Sequence, residues 1–211
     1  MSDTTDTPKN IKKSLTILIP EGVVPGQILD TVIRLVHQYG LGLYLSTAQN
    51  LRLLDIRDED EAAIRDALAV AGAELKGPGK FPLPKICVGG SYCNLGLIDT
   101  MALSRKIVAA FKGKGPFKPK FKIAISACPA SCSDAGLSDI GIKATRAGLE
   151  VYAGGKGGPF PKGGRRIAKG VDEEAVLAII ERLVAFHAEK TEKKQRFAKL
   201  LDEPDFPFPE V

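Results

Sequence analysis

The 211-residue sequence contains no tryptophan and only two histidines, two methionines and four cysteines. No apolar run approaches the roughly 18 residues of a transmembrane helix, so no membrane span is expected. The N-terminal stretch MSDTTDTPKNIKK is polar and lacks the apolar core of a secretory signal, which predicts a cytoplasmic protein. His37 and His187 both lie in predicted helices without nearby ligand partners, which disfavours histidine-based metal binding or acid–base catalysis.

The four cysteines form two pairs with an uncommon spacing. A C-x5-C pair is followed, after 34 residues, by a C-x3-C pair, and the residues are Cys87, Cys93, Cys128 and Cys132. Disulfides are rare in the cytoplasm. The wider spacing does not fit the knuckles of structural zinc sites, and neither common ferredoxin run matches. The spacing therefore favours an iron–sulfur cluster held by two loops, with a zinc site and buried unliganded cysteines as alternatives.

Residues beside the cysteines favour a ligand larger than one metal ion. Pro129 makes the chain turn at the second pair. The hydroxyl groups of Ser131 and Ser133 are expected to donate hydrogen bonds to sulfur. Gly89 and Gly90 are expected to let the backbone approach a bulky inorganic core. Together these residues describe two loops wrapped around a cluster.

The second cysteine pair lies in the string SACPASCSDAGLSDIGI, which begins at Ser126 and resembles the signature of the sirohaem-dependent nitrite and sulfite reductases. In that signature a C-x3-C pair is followed, after six residues, by an acidic–apolar–small–apolar tetrad. The tetrad here consists of Asp139, Ile140, Gly141 and Ile142. The upstream C-x5-C pair and the segment KFKIAIS, which begins at Lys120, also resemble that family.

The resemblance implies that the four thiolates hold a [4Fe–4S] cluster and that Cys132 also bridges to the iron of sirohaem. It implies an oxidoreductase that reduces sulfite to sulfide, or nitrite to ammonia, at the open face of that iron. The sequence has no flavin or nicotinamide fingerprint, so a ferredoxin or a reductase subunit is expected to supply electrons. The alternatives are a non-catalytic iron–sulfur electron-transfer protein or redox subunit, with or without sirohaem, and a basic zinc-binding or nucleic-acid-associated module.

Positive charge is concentrated around the second cysteine pair. Residues 100–171 contain 14 Lys and Arg against 3 Asp and Glu, whereas the whole chain has a net charge of +5. A basic region next to a cofactor favours anions, such as an oxyanion substrate or the carboxylates of a macrocycle. A solvated basic face is the simpler interpretation, and aromatic residues that stack on single-stranded nucleic acid are sparse here.

Particular basic residues are candidates for the site. Lys120 and Lys122 alternate on a predicted strand and are the candidate catalytic residues that hold the anion. The segment 46–50 stands where the family carries an arginine, and Ala48 occupies that position, so Arg52 is the expected substitute. The candidate cofactor-binding residues are Cys132, Arg52, Lys156, Arg165 and Arg166.

Apolar periodicity predicts an α+β fold whose first domain, residues 14–75, is a half ferredoxin-like β-α-β-β-α unit. Its strands are predicted at 15–19, 41–46 and 51–56, and its helices at 26–38, ended by Gly40, and at 58–70, capped by Asp58. A half unit exposes a sheet edge. The resemblance implies that the complete enzymes contain two copies of this arrangement. A homodimer is therefore expected to rebuild the duplication, with Lys120 and Lys122 of one protomer at the substrate face of the other protomer's haem.

The second predicted domain, residues 85–203, follows a Gly/Pro-rich linker at 76–84 and is an α/β [4Fe–4S]/sirohaem domain of the nitrite and sulfite reductase type. It is predicted to contain helices at 97–111 and from Asp172, and strands at 121–127, 138–144 and 149–153. Residues 1–13 are predicted to be disordered and residues 204–211 to form a flexible tail.

Overall fold

Two β-sheets organise the residues that the computed structural model describes, which are 12–115, 117, 121–191 and 196–211. One compact unit contains residues up to Ile19 together with 23–76, and the other contains Pro20–Gly22 and the residues from Gly77 onward. Each unit has its own apolar core. This mixture of helices and sheets confirms the predicted α+β class. In the described part of the chain, no helix is long and apolar enough to span a bilayer.

The first unit is a complete ferredoxin-like β-α-β-β-α-β arrangement. Its elements are β1 (Leu15–Leu18), α1 (Gly26–Tyr39), β2 (Gly42–Leu45), β3 (Leu51–Leu54), α2 (Glu61–Val70) and β4 (Glu74–Leu75). The sheet order is β2-β3-β1-β4, and every pair is antiparallel. The half unit predicted from the sequence lacks β4, because two residues are too few to show strand periodicity. Leu75 pairs with Ile17, so β4 covers the edge of β1.

Helix α1 and the strands bury apolar side chains at the periods that the sequence predicts. Ile28, Val32 and Leu35 form the buried face of α1. The helix ends at Gly40, whose φ of 65° lies in the left-handed region that glycine adopts without strain. Asp58, the predicted cap of α2, lies instead in the 3-10 turn Asp58–Asp60 that precedes the helix.

The second unit has a five-stranded sheet in the order β5-β6-β7-β8-β9. Its strands are β5 (Lys85–Ile86), β6 (Ile123–Ser126), β7 (Ile140–Thr145), β8 (Gly148–Ala153) and β9 (Arg165–Val171). The pairs β5·β6 and β6·β7 are parallel, and the remaining pairs are antiparallel. This mixed sheet places the ends of β5 and β6 at one edge.

Two helices pack against this sheet and complete the second core. They are α3 (Thr100–Phe111) and α4 (Glu173–Lys190), and both begin with an aspartate cap. Asp99 accepts hydrogen bonds from the first turn of α3, and Asp172, the predicted cap, accepts one from the N–H of Ala175 in α4. Leu103 and Ile107 of α3 are fully buried in this core.

The sequence does not predict β5 and β9. β5 has two residues, and β9 pairs with β8 through an irregular register, so neither shows a clean period-two pattern. β6 is shorter than the predicted strand 121–127, so Lys122 lies just before the strand. Lys120 itself lies outside the described residues.

The segment 196–211 packs on the second core, which differs from the flexible tail predicted for 204–211. Phe197 is fully buried, and Phe206 and Phe208 lie against the core. The N–H of Val211 donates to the carbonyl oxygen of Arg166 at 3.0 Å. Composition alone predicted a tail, because it does not reveal that these aromatic rings have partners.

Candidate functional site

Both cysteine pairs begin where two neighbouring parallel strands end. Cys87 directly follows β5, and Cys128 lies two residues after Ser126, the last residue of β6. The N–H of Cys87 donates to the carbonyl oxygen of Ile125 at 3.2 Å, which continues the pairing of the strands. Because parallel strands end at the same edge of a sheet, the two cysteine loops start side by side.

The first cysteine loop, residues 87–99, is folded on itself and on the end of β6. The N–H of Leu97 donates to the carbonyl oxygen of Ala127 at 2.8 Å. A Cβ atom on Gly96 would stand 2.6 Å from the Cα atom of Gly90. Glycine is therefore required at position 96 because the loop packs against itself, whereas the approach of Gly89 and Gly90 to a cofactor stays a prediction.

The second cysteine loop, residues 127–133, is closed at its base by two serines. The hydroxyl oxygens of Ser126 and Ser133 lie 2.6 Å apart, and the N–H of Ser133 also donates to Ser126 Oγ at 3.3 Å. Both serines are buried. The Ser133 hydroxyl thus closes the loop, whereas the sequence predicted that it bonds to sulfur. Between the cysteines, Ser131 has a φ of 57°, so the loop makes a left-handed turn there.

The four cysteines are free thiols with different exposure. Cys87, Cys93 and Cys128 are half-buried, and Cys132 is exposed. The N–H of Ala127 donates to the sulfur of Cys87 at 3.1 Å. Among the described residues, no group of three or more His, Cys, Asp or Glu side chains is placed to hold a single metal ion.

This donor set fits a [4Fe–4S] cluster. Four thiolates are the ligands that such a cluster takes. Hydrogen bonds to cysteine sulfur tune the reduction potential of a cluster, and the N–H of Ala127 is directed at one of these sulfurs. The exposure of Cys132 leaves its sulfur accessible to a second group, as the predicted bridge to sirohaem requires. The bridge itself stays a prediction.

Glycine residues allow the second cysteine loop to pack on the sheet. The turn Ala135–Leu137 crosses β7 at Gly141, where a Cβ atom would overlap the carbonyl oxygen of Ala135. Residues 154–164 form a glycine-rich connection between β8 and β9. A Cβ atom on Gly155, near its start, would stand 2.7 Å from the carbonyl oxygen of Ser138. Three backbone segments therefore stack where only glycine fits, which fixes the glycine-rich connection against the segment that follows Cys132.

The lysines predicted to bind an anion or a cofactor are open to ligands. Lys122 is exposed immediately before β6. Lys156 is half-buried, and its backbone exchanges two hydrogen bonds with Lys162, of 2.9 and 2.8 Å, across the glycine-rich connection. No carboxylate of the described residues pairs with either Lys122 or Lys156. Lys120 belongs to the residues that the structure does not describe.

Arg165 and Arg166, the arginines predicted to bind the cofactor, hold the C-terminal segment to the sheet. Arg165 pairs with Asp202 at 2.7 Å and also donates to the carbonyl oxygen of Leu201 at 2.6 Å. Arg166 donates to the carbonyl oxygen of Val211 at 2.8 Å. A role in cofactor binding stays a prediction, and in this structure both guanidinium groups are engaged elsewhere.

Glu150 is the centre of a polar cluster on the second sheet. It accepts a hydrogen bond from the Tyr152 hydroxyl at 2.7 Å and pairs with Arg166 at 3.1 Å and with Lys143 at 3.5 Å. Burial by itself raises the pKa of Glu150, but Tyr152, Lys143 and Arg166 together lower that pKa below its usual value. The carboxylate is therefore held in its ionised form.

Arg52 and Ala48 belong to the first unit. Arg52 lies in β3, and its Nε and NH2 atoms donate to Ser14 Oγ at 3.0 and 2.7 Å. Ala48 is exposed in the turn between β2 and β3. The substitution of Arg52 for the arginine that the family carries at the position of Ala48 stays a prediction.

Asp139 is a fully buried carboxylate whose role the sequence analysis missed. It accepts hydrogen bonds from Arg196 Nε and from the N–H groups of Phe197 and Lys122, each at 3.0 Å. Burial raises the pKa of Asp139, and these charge and hydrogen-bond partners oppose that rise. The sequence signal was its place in the acidic–apolar–small–apolar tetrad, which marks a motif but does not identify an arginine 57 residues away as the partner.

Residues 83–206, more than half of the chain, match the family described as the nitrite and sulphite reductase 4Fe-4S domain. The chain belongs to this family. The resemblance seen in the cysteine motif is therefore confirmed, and the predicted cofactors, a [4Fe–4S] cluster and sirohaem, are those that the family implies.

Relatives of this nitrite and sulphite reductase domain differ widely in length. "Nitrite reductase [NAD(P)H]" of Emericella nidulans is 29% identical over 187 residues, which cover 87% of this chain and 17% of that protein. "Sulfite reductase, assimilatory-type" of Nitratidesulfovibrio vulgaris is 24% identical over 185 residues, which cover 87% of this chain and 84% of that protein. The chain thus spans about a fifth of the length of the nitrite reductases it matches.

A solved structure shows the same fold. The NirA protein of Mycobacterium tuberculosis superposes with a TM-score of 0.72 at 23% identity, over 90% of this chain and 38% of that chain. The fold of a nitrite and sulphite reductase domain is therefore present in this chain.

Proposed function

We propose that this protein is a small sirohaem- and [4Fe–4S]-dependent reductase that reduces sulfite to sulfide or nitrite to ammonia. One observation carries the proposal: the two cysteine loops begin side by side at the ends of β5 and β6, in a chain of the nitrite and sulphite reductase family. The relatives named as reductases match across most of the chain, which supports catalysis over a purely structural role.

The extent of the match to a protein named a sulfite reductase makes sulfite the first substrate to test. The chain covers 84% of the Nitratidesulfovibrio vulgaris sulfite reductase but only 17% of the Emericella nidulans nitrite reductase. The described residues form the cofactor domain and one ferredoxin-like unit. A ferredoxin or a reductase subunit is proposed to deliver the electrons.

Different residues are proposed to have different roles in such a reductase. When bound, the cluster relays single electrons and sirohaem supplies an open iron site for the oxyanion. Cys87, Cys93, Cys128 and Cys132 are the proposed ligands of the cluster, with the exposed Cys132 as the bridge. In the proposed homodimer, the ammonium groups of Lys120 and Lys122 are proposed to attract the oxyanion at the other protomer's haem and pass protons to it through water. Lys156 is proposed to neutralise a carboxylate of the macrocycle.

Visible spectroscopy of the anaerobically purified protein tests the proposal directly. Sirohaem bands together with consumption of sulfite driven by reduced methyl viologen are expected. Loss of both cofactors in Cys87→Ser would link the spectrum to the cysteine site. A colourless protein that contains zinc would overturn the proposal.

A second candidate function is electron transfer by a cluster without catalysis. Two observations favour it: Ala48 occupies the position of the family's arginine, and Arg165 and Arg166 are engaged by the C-terminal segment. Lysine does not reproduce the planar, bidentate recognition of an anion by arginine. Broad cluster absorption without haem bands, and no consumption of sulfite or nitrite, would favour this function.

A homodimer in the cytoplasm is the proposed assembly. β2 is an edge strand, and its side chains Leu43, Tyr44 and Leu45 are 42, 49 and 74% exposed. An apolar edge strand is prone to pair with a strand of another chain. Sedimentation velocity is expected to give a dimer, and Leu45→Lys to weaken it. A monomer that carries both cofactors and is active would exclude this assembly.

A further inference from the structure

Asp139 joins three segments that are distant in sequence. The residue is fully buried, and its two carboxylate oxygens face different partners. Oδ2 accepts the N–H of Lys122 at 3.0 Å. Oδ1 accepts both the N–H of Phe197 and Nε of Arg196, each at 3.0 Å. The carboxylate therefore links the residue before β6 to the C-terminal segment.

The backbone of Lys122 is held on both sides by two consecutive residues. Its N–H donates to Asp139 Oδ2 at 3.0 Å, and its carbonyl oxygen accepts the N–H of Ile140 at 3.0 Å. The side chain of Lys122 nevertheless extends into solvent and has no carboxylate partner among the described residues. The Cα atom is fixed, while the ammonium group remains open to a ligand.

Arg196, the ion-pair partner of Asp139, contacts the glycine-rich connection. Arg196 NH2 donates to the carbonyl oxygen of Gly155 at 3.2 Å, and Gly155 immediately precedes Lys156. The N–H of Gly154 donates to the backbone carbonyl oxygen of Asp139 at 2.8 Å. The Asp139–Arg196 pair thus fixes the backbone beside both Lys122 and Lys156.

We propose that Asp139 is a positioning residue for the anion site of the proposed homodimer, which acts by holding the backbone from which Lys122 extends toward the oxyanion bound by the other protomer. This inference rests on the proposed function, because it assigns to Lys122 the anion of that reaction. Burial of a carboxylate costs free energy unless the group is paired and hydrogen-bonded. The partners of Asp139 include the backbone of Lys122 and the side chain of Arg196, which also bonds to Gly155 beside Lys156. A fixed Cα atom lowers the conformational entropy that Lys122 loses when it binds an anion.

Asp139→Asn distinguishes the contact with Lys122 from the contacts with Arg196 and Phe197. The remaining side-chain oxygen is expected to stay with Arg196 and Phe197, because Arg196 is charged. The amide nitrogen then faces the N–H of Lys122, and two donors cannot bond to each other. The variant therefore releases Lys122 while it keeps the link to the C-terminal segment.

Hydrogen–deuterium exchange of the anaerobically purified holoprotein, resolved to single residues by mass spectrometry, tests this contact without any measurement of turnover. The Lys122 amide is expected to exchange about tenfold faster in Asp139→Asn than in the natural protein. The Phe197 amide is expected to keep its protection. Unchanged exchange at Lys122 would overturn the inference and leave the proposed function untouched.

Arg196→Gln provides the test if Asp139→Asn does not accumulate as a folded protein. This variant leaves Asp139 Oδ2 free to accept the N–H of Lys122, so the Lys122 amide should remain protected while exchange near Gly155 rises. A loss of protection at Lys122 as large as that near Gly155 would show that Arg196, not Asp139, holds that backbone, and would reject the assignment.

A double-mutant cycle with sulfite tests the link to function. Asp139→Asn is expected to raise the KM for sulfite about tenfold with a smaller change in kcat, because positioning of Lys122 is lost. In a Lys122→Met background the same change should leave KM unaltered. An equal rise of KM in both backgrounds would mean that Asp139 acts through the fold in general, which overturns the inference.

A stability-matched control separates positioning from general destabilisation. Asp172→Ala removes the cap of α4 and is expected to cost about 1 kcal/mol without touching Lys122. Its KM for sulfite should equal that of the natural protein. If the natural protein neither binds nor reduces sulfite or nitrite, the proposed function fails, whereas the exchange experiment still decides whether Asp139 fixes Lys122.

Discussion

The hydroxyl oxygens of Ser126 and Ser133 lie 2.6 Å apart at the base of the loop that carries Cys128 and Cys132. The loop makes a tight turn between these serines, so their contact sets the distance between its two ends. The two serines are not equivalent, because Ser126 Oγ bonds to the hydroxyl of Ser133 and also accepts the backbone N–H of Ser133. Their replacement is therefore expected to have unequal effects.

Ser126→Ala should damage the cysteine loop more than Ser133→Ala. The first change leaves two buried polar groups of Ser133 without their partner, whereas the second keeps the bond between the Ser133 N–H and Ser126 Oγ. Each stranded buried group costs about 1–3 kcal/mol. The rate of cluster loss in air, followed by visible absorbance, is expected to rank Ser126→Ala fastest, then Ser133→Ala, then the natural protein.

Ser104→Ala is the matched control for these serine variants. Ser104 lies in α3 and is buried, and its hydroxyl has no hydrogen-bond partner among the described residues. Removal of that hydroxyl is expected to leave cluster retention unchanged. Equal cluster loss in Ser104→Ala and Ser126→Ala would contradict the role of the hydroxyl pair.

Gly141→Ala is expected to prevent the segment after Cys132 from packing on β7. An added Cβ atom would overlap the carbonyl oxygen of Ala135, and neither backbone can shift without moving the cysteine loop. Overpacking of this kind typically costs about 1–3 kcal/mol and sometimes more. Cluster content per protein, measured as iron and acid-labile sulfide, should fall sharply.

Gly136→Ala makes the same chemical change a few residues away. A Cβ atom at Gly136 meets nothing within 4 Å, so this variant should retain its iron and sulfide. If both variants lose the cluster equally, backbone flexibility and not space would be the requirement at these glycines.

Local periodicity predicted most helices and long strands, and the cysteine motif predicted the family. The helix from Asp172 follows from a cap and an apolar face, which are local signals. β4 and β9 were missed because their strand character comes from pairing with β1 and β8, which a short window cannot reveal.

The candidate site was predictable where it depends on residue type and not where it depends on long-range contacts. Four cysteines in two pairs favour a ligand set from their spacing. The C-terminal partners of Arg165 and Arg166 lie 36 to 45 residues away, so the sequence does not reveal these contacts. Asp139 and Arg196 form their pair over 57 residues, and charge patterning does not indicate it.

Arg165→Met tests whether that arginine holds the C-terminal segment or the cofactor. The structural contacts with Asp202 and with the carbonyl oxygen of Leu201 predict a loss of stability of about 1–3 kcal/mol. Cofactor content at low temperature should be unchanged. Thermal unfolding followed by circular dichroism, together with the haem absorbance of the same sample, separates the two roles. A sample with normal stability and without haem bands would support the predicted cofactor role instead.

Glu150→Gln is expected to reduce stability in a manner that depends on pH. Tyr152, Lys143 and Arg166 hold the pKa of Glu150 below its usual value in the folded protein, although burial opposes them. Between that lowered pKa and the unfolded value of about 4.3, the unfolded chain binds more protons, so stability rises with pH. The contribution of Glu150 is therefore complete above about pH 5 and is lost as pH falls through the folded pKa.

The loss of the Glu150 carboxylate should thus lower the unfolding midpoint by several degrees at pH 7, which corresponds to about 1–3 kcal/mol, and by less near pH 3. Asp66→Asn removes an exposed carboxylate of α2 and controls for the change in net charge. Circular dichroism at both pH values measures the difference between each variant and the natural protein. A Glu150→Gln deficit that stays constant with pH would mean that packing of the side chain, and not its charge, stabilises this part of the sheet.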